Sequence, residues 1–207
     1  MLTVGKDTAG VERMLKAGGL SCPVCRVRLA PWGWARQRTI FGPGRAGRLV
    51  RPRRSRCPAC AVTHVLLPAD VLVRRPDEAG VIGAALARAA RGQGHRRIAA
   101  ALGIPEDTVR GWLRRLVGAA GQVRAHFTRI QAGVSADPVP LGPAGTVLAD
   151  AVVAIVAAAD AVASRWPGVP VVSPWELAAA VTSGTLLAPV ITFLAINTSS
   201  PLPIISH

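Results

Sequence analysis

The chain has 207 residues, enough for one ordinary domain or two small ones, and its 50% hydrophobic and 17% charged residues exclude wholesale disorder. A net charge of +14 and a pI near 11.6 point to polyanionic partners, nucleic acid first. The charge is segregated: residues 1–129 hold 24 of the 25 Lys and Arg against seven of the 11 acids, while residues 130–207 hold Arg165 against Asp137, Asp150, Asp160 and Glu176.

The N-terminus has no apolar run of signal-peptide length, so export is not expected and the cysteines are read for a reducing cytoplasm. Residues 9–17 (AGVERMLKA) predict a short helix, opened by Asp7 or Thr8 and stopped by Gly18 and Gly19. Residues 20–68 are rich in Arg, Pro and Gly and contain all four cysteines, a composition for strands and turns. The expected hairpin has residues 34–41 and 48–56 as strands and Gly42-Pro43-Gly44 and Gly47 at its turn, with Pro52 making the second strand an edge or bulged one.

Residues 77–132 are helical by pattern, and 133–145 (GVSADPVPLGPAG) read as a linker. An Ala-rich helix is expected near 146–165, then a short helix near 174–183 opened by Ser173-Pro174, then an apolar tail. The fold class is therefore mainly α with a small β zinc ribbon. Its units are 1–76 (short helix plus ribbon), 77–132 (helix-turn-helix), the linker, and 146–207 (Ala-rich helical region and tail).

Cys22-Pro-Val-Cys25 and Cys57-Pro-Ala-Cys60 are two CPxC units. A two-residue gap lets a tight turn aim both thiolates at one ion, and two such turns supply four sulfurs for tetrahedral Zn²⁺. Redox motifs come singly and disulfide frameworks belong to secreted chains, so one structural zinc on Cys22, Cys25, Cys57 and Cys60 is the favoured reading. His64 is read as a polar residue on a ribbon strand, since four sulfurs already suffice. No acid lies between Cys22 and Ala69, whereas ten Arg lie between residues 26 and 56. Arg51, Arg53, Arg54 and Arg56 are expected to meet DNA phosphates. Trp32 and Trp34 are read mainly as core for a small domain, with base stacking as the alternative.

Residues 93–116, QGHRRIAAALGIPEDTVRGWLRRL, have the spacing of a helix-turn-helix. Ile98, Ala99 and Leu102 form an inward face, Gly103 supplies a left-handed turn, and Ile104 plugs the gap between helices. Val109, Trp112, Leu113 and Leu116 then make the buried stripe of a second helix, and residues 81–90 supply a third. That stripe leaves Glu106, Asp107, Arg110, Gly111 and Arg114 facing out. Arg110 and Arg114 are candidates for guanine contact, and Glu106 and Asp107 either accept from cytosine or serve only the helix dipole. Thr108 caps locally or meets a phosphate, and Arg96, Arg97 and Arg115 are placed for the backbone.

These segments, CPVC with RLAPWGWARQRTI, RCPAC with THVLLP and GHRRIAAALGIPEDTVRGWLRR, resemble an uncharacterised family of actinobacterial helix-turn-helix proteins encoded beside transposases or integrases. The order of ribbon then helix-turn-helix is similar to the N-terminal DNA-binding half of insertion-sequence transposases. The resemblance covers residues 9–130, and residues 173–189 look like that family's tail. It implies the four cysteines as metal ligands and the helix from Glu106 as the DNA reader.

The expected function is thus sequence-specific binding of double-stranded DNA for a transposon or other mobile element. A transcriptional regulator and a truncated transposase are the alternatives. The partners expected are duplex DNA, a transposase or integrase, and a second copy of the chain in a homodimer. No catalytic constellation is visible: Asp150 and Asp160 are three turns apart on one helix, too far to grip one ion, and are read as keeping it soluble. Those two charges cost roughly 5–7 kcal/mol in a bilayer, so the chain is expected to be cytoplasmic, with the nucleoid, and without a membrane partner.

Overall fold

A computed structural model describes residues 1–167 and 173–194. Among them are six helices and two small β-sheets. The tail beyond residue 194 lies outside the described residues.

The N-terminal half is built around a four-stranded sheet. Strand β1 (Leu2–Val4) runs parallel to β6 (Thr63–Pro68), which pairs antiparallel with β5 (Arg53–Arg56), which pairs with β2 (Ala30–Trp34) at the edge. Helix α1 (Thr8–Lys16) starts where the Asp7 carboxylate accepts the amides of Ala9 and Gly10, both at 3.0 Å. It buries Val11 and Leu15 with Val4, Leu20, Leu66 and the cysteines. Strand β1, three residues long, gave no usable alternation in the sequence.

The expected hairpin forms, but in two pieces. Strands β3 (Arg38–Phe41) and β4 (Gly47–Val50) make its outer end as a separate two-stranded sheet, while β2 and β5 make its base. The break falls at Pro52, which has no amide to give to a ladder, although its carbonyl still accepts from Ala35 N at 2.8 Å. The edge and the bulge both belong to β2, with the register shift between Pro31 and Trp34, so Pro52 does not make its own strand the edge.

Helices α2 (Ala79–Ala90), α3 (His95–Leu102) and α4 (Glu106–Val134) follow. The 29 residues of α4 bury a continuous stripe of Val109, Trp112, Leu116, Ala120, Val123, Phe127, Ile130 and Val134. Its first half closes the helix-turn-helix. Its second half packs on α5 (Val147–Arg165), which also contacts α2 and α6 (Pro174–Val181). One core thus runs from Leu72 to Leu187.

Helix α5 is long and apolar enough to cross a membrane by length and composition, yet half of its most apolar window is buried against these helices. Asp150 does more than solubilise it. Its carboxylate meets Arg124 of α4 at 2.8 Å and accepts the Ala144 amide, pinning the end of the connecting segment. Asp160 is exposed.

The hairpin is tied to the helices by charge. Arg45 pairs with Asp77, and Arg48 with both Asp70 and Glu78. Beside these pairs Phe41 and Glu78 exchange backbone hydrogen bonds with the neighbouring segment, Phe41 N to Pro76 O at 2.7 Å and Glu78 N to Phe41 O at 2.9 Å. Burial raises the carboxyls of Asp70 and Asp77, against the lowering effect of their arginines.

Candidate metal centre and nucleic-acid interface

The two CPxC turns are built alike. Cys22 N donates to Val27 O at 2.8 Å and Cys57 N to Val62 O at 2.9 Å. The residue after each second cysteine, Arg26 or Ala61, takes a left-handed backbone at φ +62° or +59°. Neither is glycine, so each turn carries a backbone cost of order 1–2 kcal/mol, which the surrounding structure must hold.

The turns bring all four Sγ atoms within 4.8 Å of one another, with Cys22–Cys60 at 3.7 Å and Cys25–Cys57 at 3.3 Å. Sulfurs on a tetrahedron with Zn–S of about 2.3 Å lie roughly 3.8 Å apart, so the donor set fits a closed four-sulfur site. The Cys60 amide, with help from those of Ala59 and Cys25's thiol, lowers the Cys57 thiol to about 6. Burial raises Cys22, but the amides of Cys25 and Val24 and the His64 ring outweigh it and lower that thiol too. These two shifts favour the thiolate, the form that binds metal. Against the backbone amides that lower them, burial and the neighbouring thiols raise Cys25 and push Cys60 up to about 11, so the fit to a metal rests on the sulfur geometry.

His64 is buried with Nε2 3.5 Å from Cys22 Sγ. It stands behind a sulfur as a hydrogen-bond partner, a role that sequence spacing did not reveal.

In the helix-turn-helix, α3 ends at Gly103 (φ +63°, ψ +36°), and Ile104 is buried beneath the turn. Val109, Trp112 and Leu116 face the core. Glu106, Asp107, Arg110, Arg114 and Arg115 are exposed on α4, Thr108 and Gly111 are half-buried beside them, and Arg96 and Arg97 are exposed on α3. The acids are not free: Glu106 lies 3.6 Å from Arg96 across the turn, and Asp107 lies 2.9 Å from Arg110 one helical turn on. Arg115 donates to Gly111 O at 3.0 Å.

The ribbon arginines divide. Arg51 and Arg54 are exposed, and Arg56 is half-buried with its guanidinium 4.7 Å from the Trp32 ring centroid. Arg53 turns inward: its side chain is 12% exposed, it meets Glu12 at 2.7 Å, and it donates to the Gly33 carbonyl. Strand alternation carried that signal, since Arg53 has opposite parity to Arg54 and Arg56. Trp32 and Trp34 are not core. They are 51% and 41% exposed on β2, because the small core of this half is already filled by α1 and the cysteines.

Residues 82–123 match a family model described as a homeodomain-like domain. The match spans α2, α3, the Gly103 turn and the first half of α4. No curated protein and no solved structure matches the chain. The homeodomain-like helix-turn-helix points to DNA binding, and the four clustered cysteines are able to hold a metal ion.

Proposed function

We propose that the chain is a non-catalytic, sequence-specific binder of double-stranded DNA that serves a transposon or other mobile element, in the cytoplasm with the nucleoid. The observation that carries the reading is the homeodomain-like unit with its arginine face turned to solvent. Helix α4 enters the major groove, where Arg110 and Arg114 meet guanine edges, while Arg96, Arg97 and Arg115 hold the backbone. Asp107 and Glu106 pre-position Arg110 and Arg96 and thereby reduce the entropy lost on binding. One structural Zn²⁺ on Cys22, Cys25, Cys57 and Cys60 keeps the ribbon rigid, and Arg51, Arg54 and Arg56 add phosphate contacts.

A transposase or integrase is the protein partner proposed, with a second copy of the chain completing a two-fold site.

Selection of bound sequences from random duplexes tests the reading. A defined motif is expected, and Arg110→Ala is expected to cost about 1–3 kcal/mol on that motif and little on random DNA. Recovery of no motif removes sequence specificity. Equal losses on both DNAs reduce Arg110 to a phosphate contact.

A further inference from the structure

We infer that the exposed edge of the ribbon, strand β2, is a second DNA site that stacks unpaired bases. All five residues of β2 are exposed, and Trp32 and Trp34 keep 51% and 41% of their surface in solvent. By contrast Trp112 of the helix-turn-helix is 2% exposed. That open indole area is what remains after arginine has already covered part of each ring: Arg56 over Trp32 at 4.7 Å, and Arg53 and Arg51 over Trp34 at 4.9 and 5.9 Å.

An exposed apolar edge invites another strand. Here Pro31 has no amide to donate and the bulge between Pro31 and Trp34 breaks the register, so β2 is blunted against strand addition. Something other than a strand is therefore suited to cover the indoles.

The surrounding charge says what. No acid occurs from Cys22 to Ala69, and among the described residues Arg26, Arg28, Arg36, Arg38, Arg51, Arg54 and Arg56 have no carboxylate partner. A polyanion with flat apolar rings satisfies both features at once. The register adds direction. Trp34 lies opposite Arg53 and Pro31 opposite Ser55, so Trp32 shares the outward face with Arg54 and Arg56. Trp34, on the other face, walls a cavity of about 280 Å³ that Arg51 also lines.

The edge is rigid as well. Arg53 fixes the bulge by donating to the Gly33 carbonyl while held by Glu12. An intact duplex hides its ring faces in the stack, whereas a single strand offers them, and base–indole stacking tolerates any sequence. The inference rests on the proposed DNA reading and shares its polymer and its ribbon arginines, but not its reading helix: α4 holds duplex, and the indoles of β2 hold an adjoining unpaired segment.

The test uses the full chain with zinc bound and two labelled probes, oligothymidine about 12 nucleotides long and a blunt duplex carrying the selected motif. Anisotropy measures affinity, and tryptophan emission reports stacking. Oligothymidine is expected to bind and quench emission. Trp32→Ala is expected to weaken oligothymidine at least about fivefold and leave the duplex unchanged, while Trp32→Phe retains most of the affinity. Zinc content and far-ultraviolet dichroism establish that each variant is folded. Wild-type chain that ignores oligothymidine overturns the proposal, and so does folded Trp32→Ala that binds it as well as wild type. Loss of duplex binding alone, with oligothymidine retained, sinks the helix-turn-helix reading instead.

Discussion

Arg53 and Arg54 are neighbours in one strand that face opposite ways, and replacing each by alanine tests whether the inward one is structural and the outward one binds DNA as proposed. The Arg53 guanidinium makes charge-assisted hydrogen bonds to Glu12 at 2.7 Å and to the Gly33 carbonyl, and its side chain is only 12% exposed. Charged hydrogen bonds contribute about 1.5–3 kcal/mol each. Glu12 is 25% exposed, so water screens part of that, and about 2 kcal/mol is the loss expected for Arg53→Ala. Arg54→Ala is expected to stay within about 0.5 kcal/mol.

The pH dependence follows from the same pair. Arg53 donates to the Glu12 carboxylate and holds its carboxyl below the ordinary value of 4.5. A depressed folded value means the stabilisation is complete above the ordinary value and is lost as pH falls through the folded one. The stability gap between wild type and Arg53→Ala should therefore narrow in acid. Urea unfolding at several pH values measures it. DNA binding gives the reverse order, since Arg54→Ala should lower the slope of log K against log salt by about 0.9 while Arg53→Ala leaves it unchanged. The assignment is refuted if Arg53→Ala matches wild type in stability and reduces the salt slope.

Two further outcomes are expected. A Cβ at Gly83 of α2 would lie 2.0 Å from the Trp175 ring, so Gly83→Ala must push α6 away. Overpacking of about 1–3 kcal/mol should outweigh the roughly 1 kcal/mol gained in helix propensity, and denaturant unfolding no weaker than wild type would show that the contact does not exist. Cys57→Ser, or strong chelation of the wild type, should bring zinc to zero and unfold the ribbon while most helical dichroism survives, because the helices have their own core. Stoichiometric zinc in the folded serine variant would refute the four-sulfur site.

The helices were legible because their cues are local: Asp7 at a cap, Gly103 at a turn, and an apolar stripe of constant pitch from Val109 to Leu116, although α4 continues unbroken to Val134, the second residue of the expected linker. The cysteine cluster was legible for the same reason, as two turns of fixed geometry. What escaped was set by partners distant in sequence. Three residues of β1 acquire meaning only beside β6, and the exposure of Trp32 and Trp34 depends on a core already filled by α1. The inward turn of Arg53 was available from strand parity but needed Glu12, 41 residues away, to become an ion pair.

The acids explain how a chain this basic keeps a defined shape. All seven in residues 1–129 are paired: Asp7 with Arg13, Glu12 with Lys16 and Arg53, Asp70 and Glu78 with Arg48, Asp77 with Arg45, Glu106 with Arg96, and Asp107 with Arg110. Neutralisation alone would scatter them. Instead Asp70, Asp77 and Glu78 lie in the segment between β6 and α2 and grip only the β3–β4 hairpin, while Glu106 and Asp107 grip only the helix-turn-helix. The first group sets how the ribbon meets the helices, and the second holds Arg96 and Arg110 on the helix-turn-helix. The unpaired arginines are thereby left on surfaces of fixed relative position, as the two proposed sites would need in order to engage one continuous stretch of DNA.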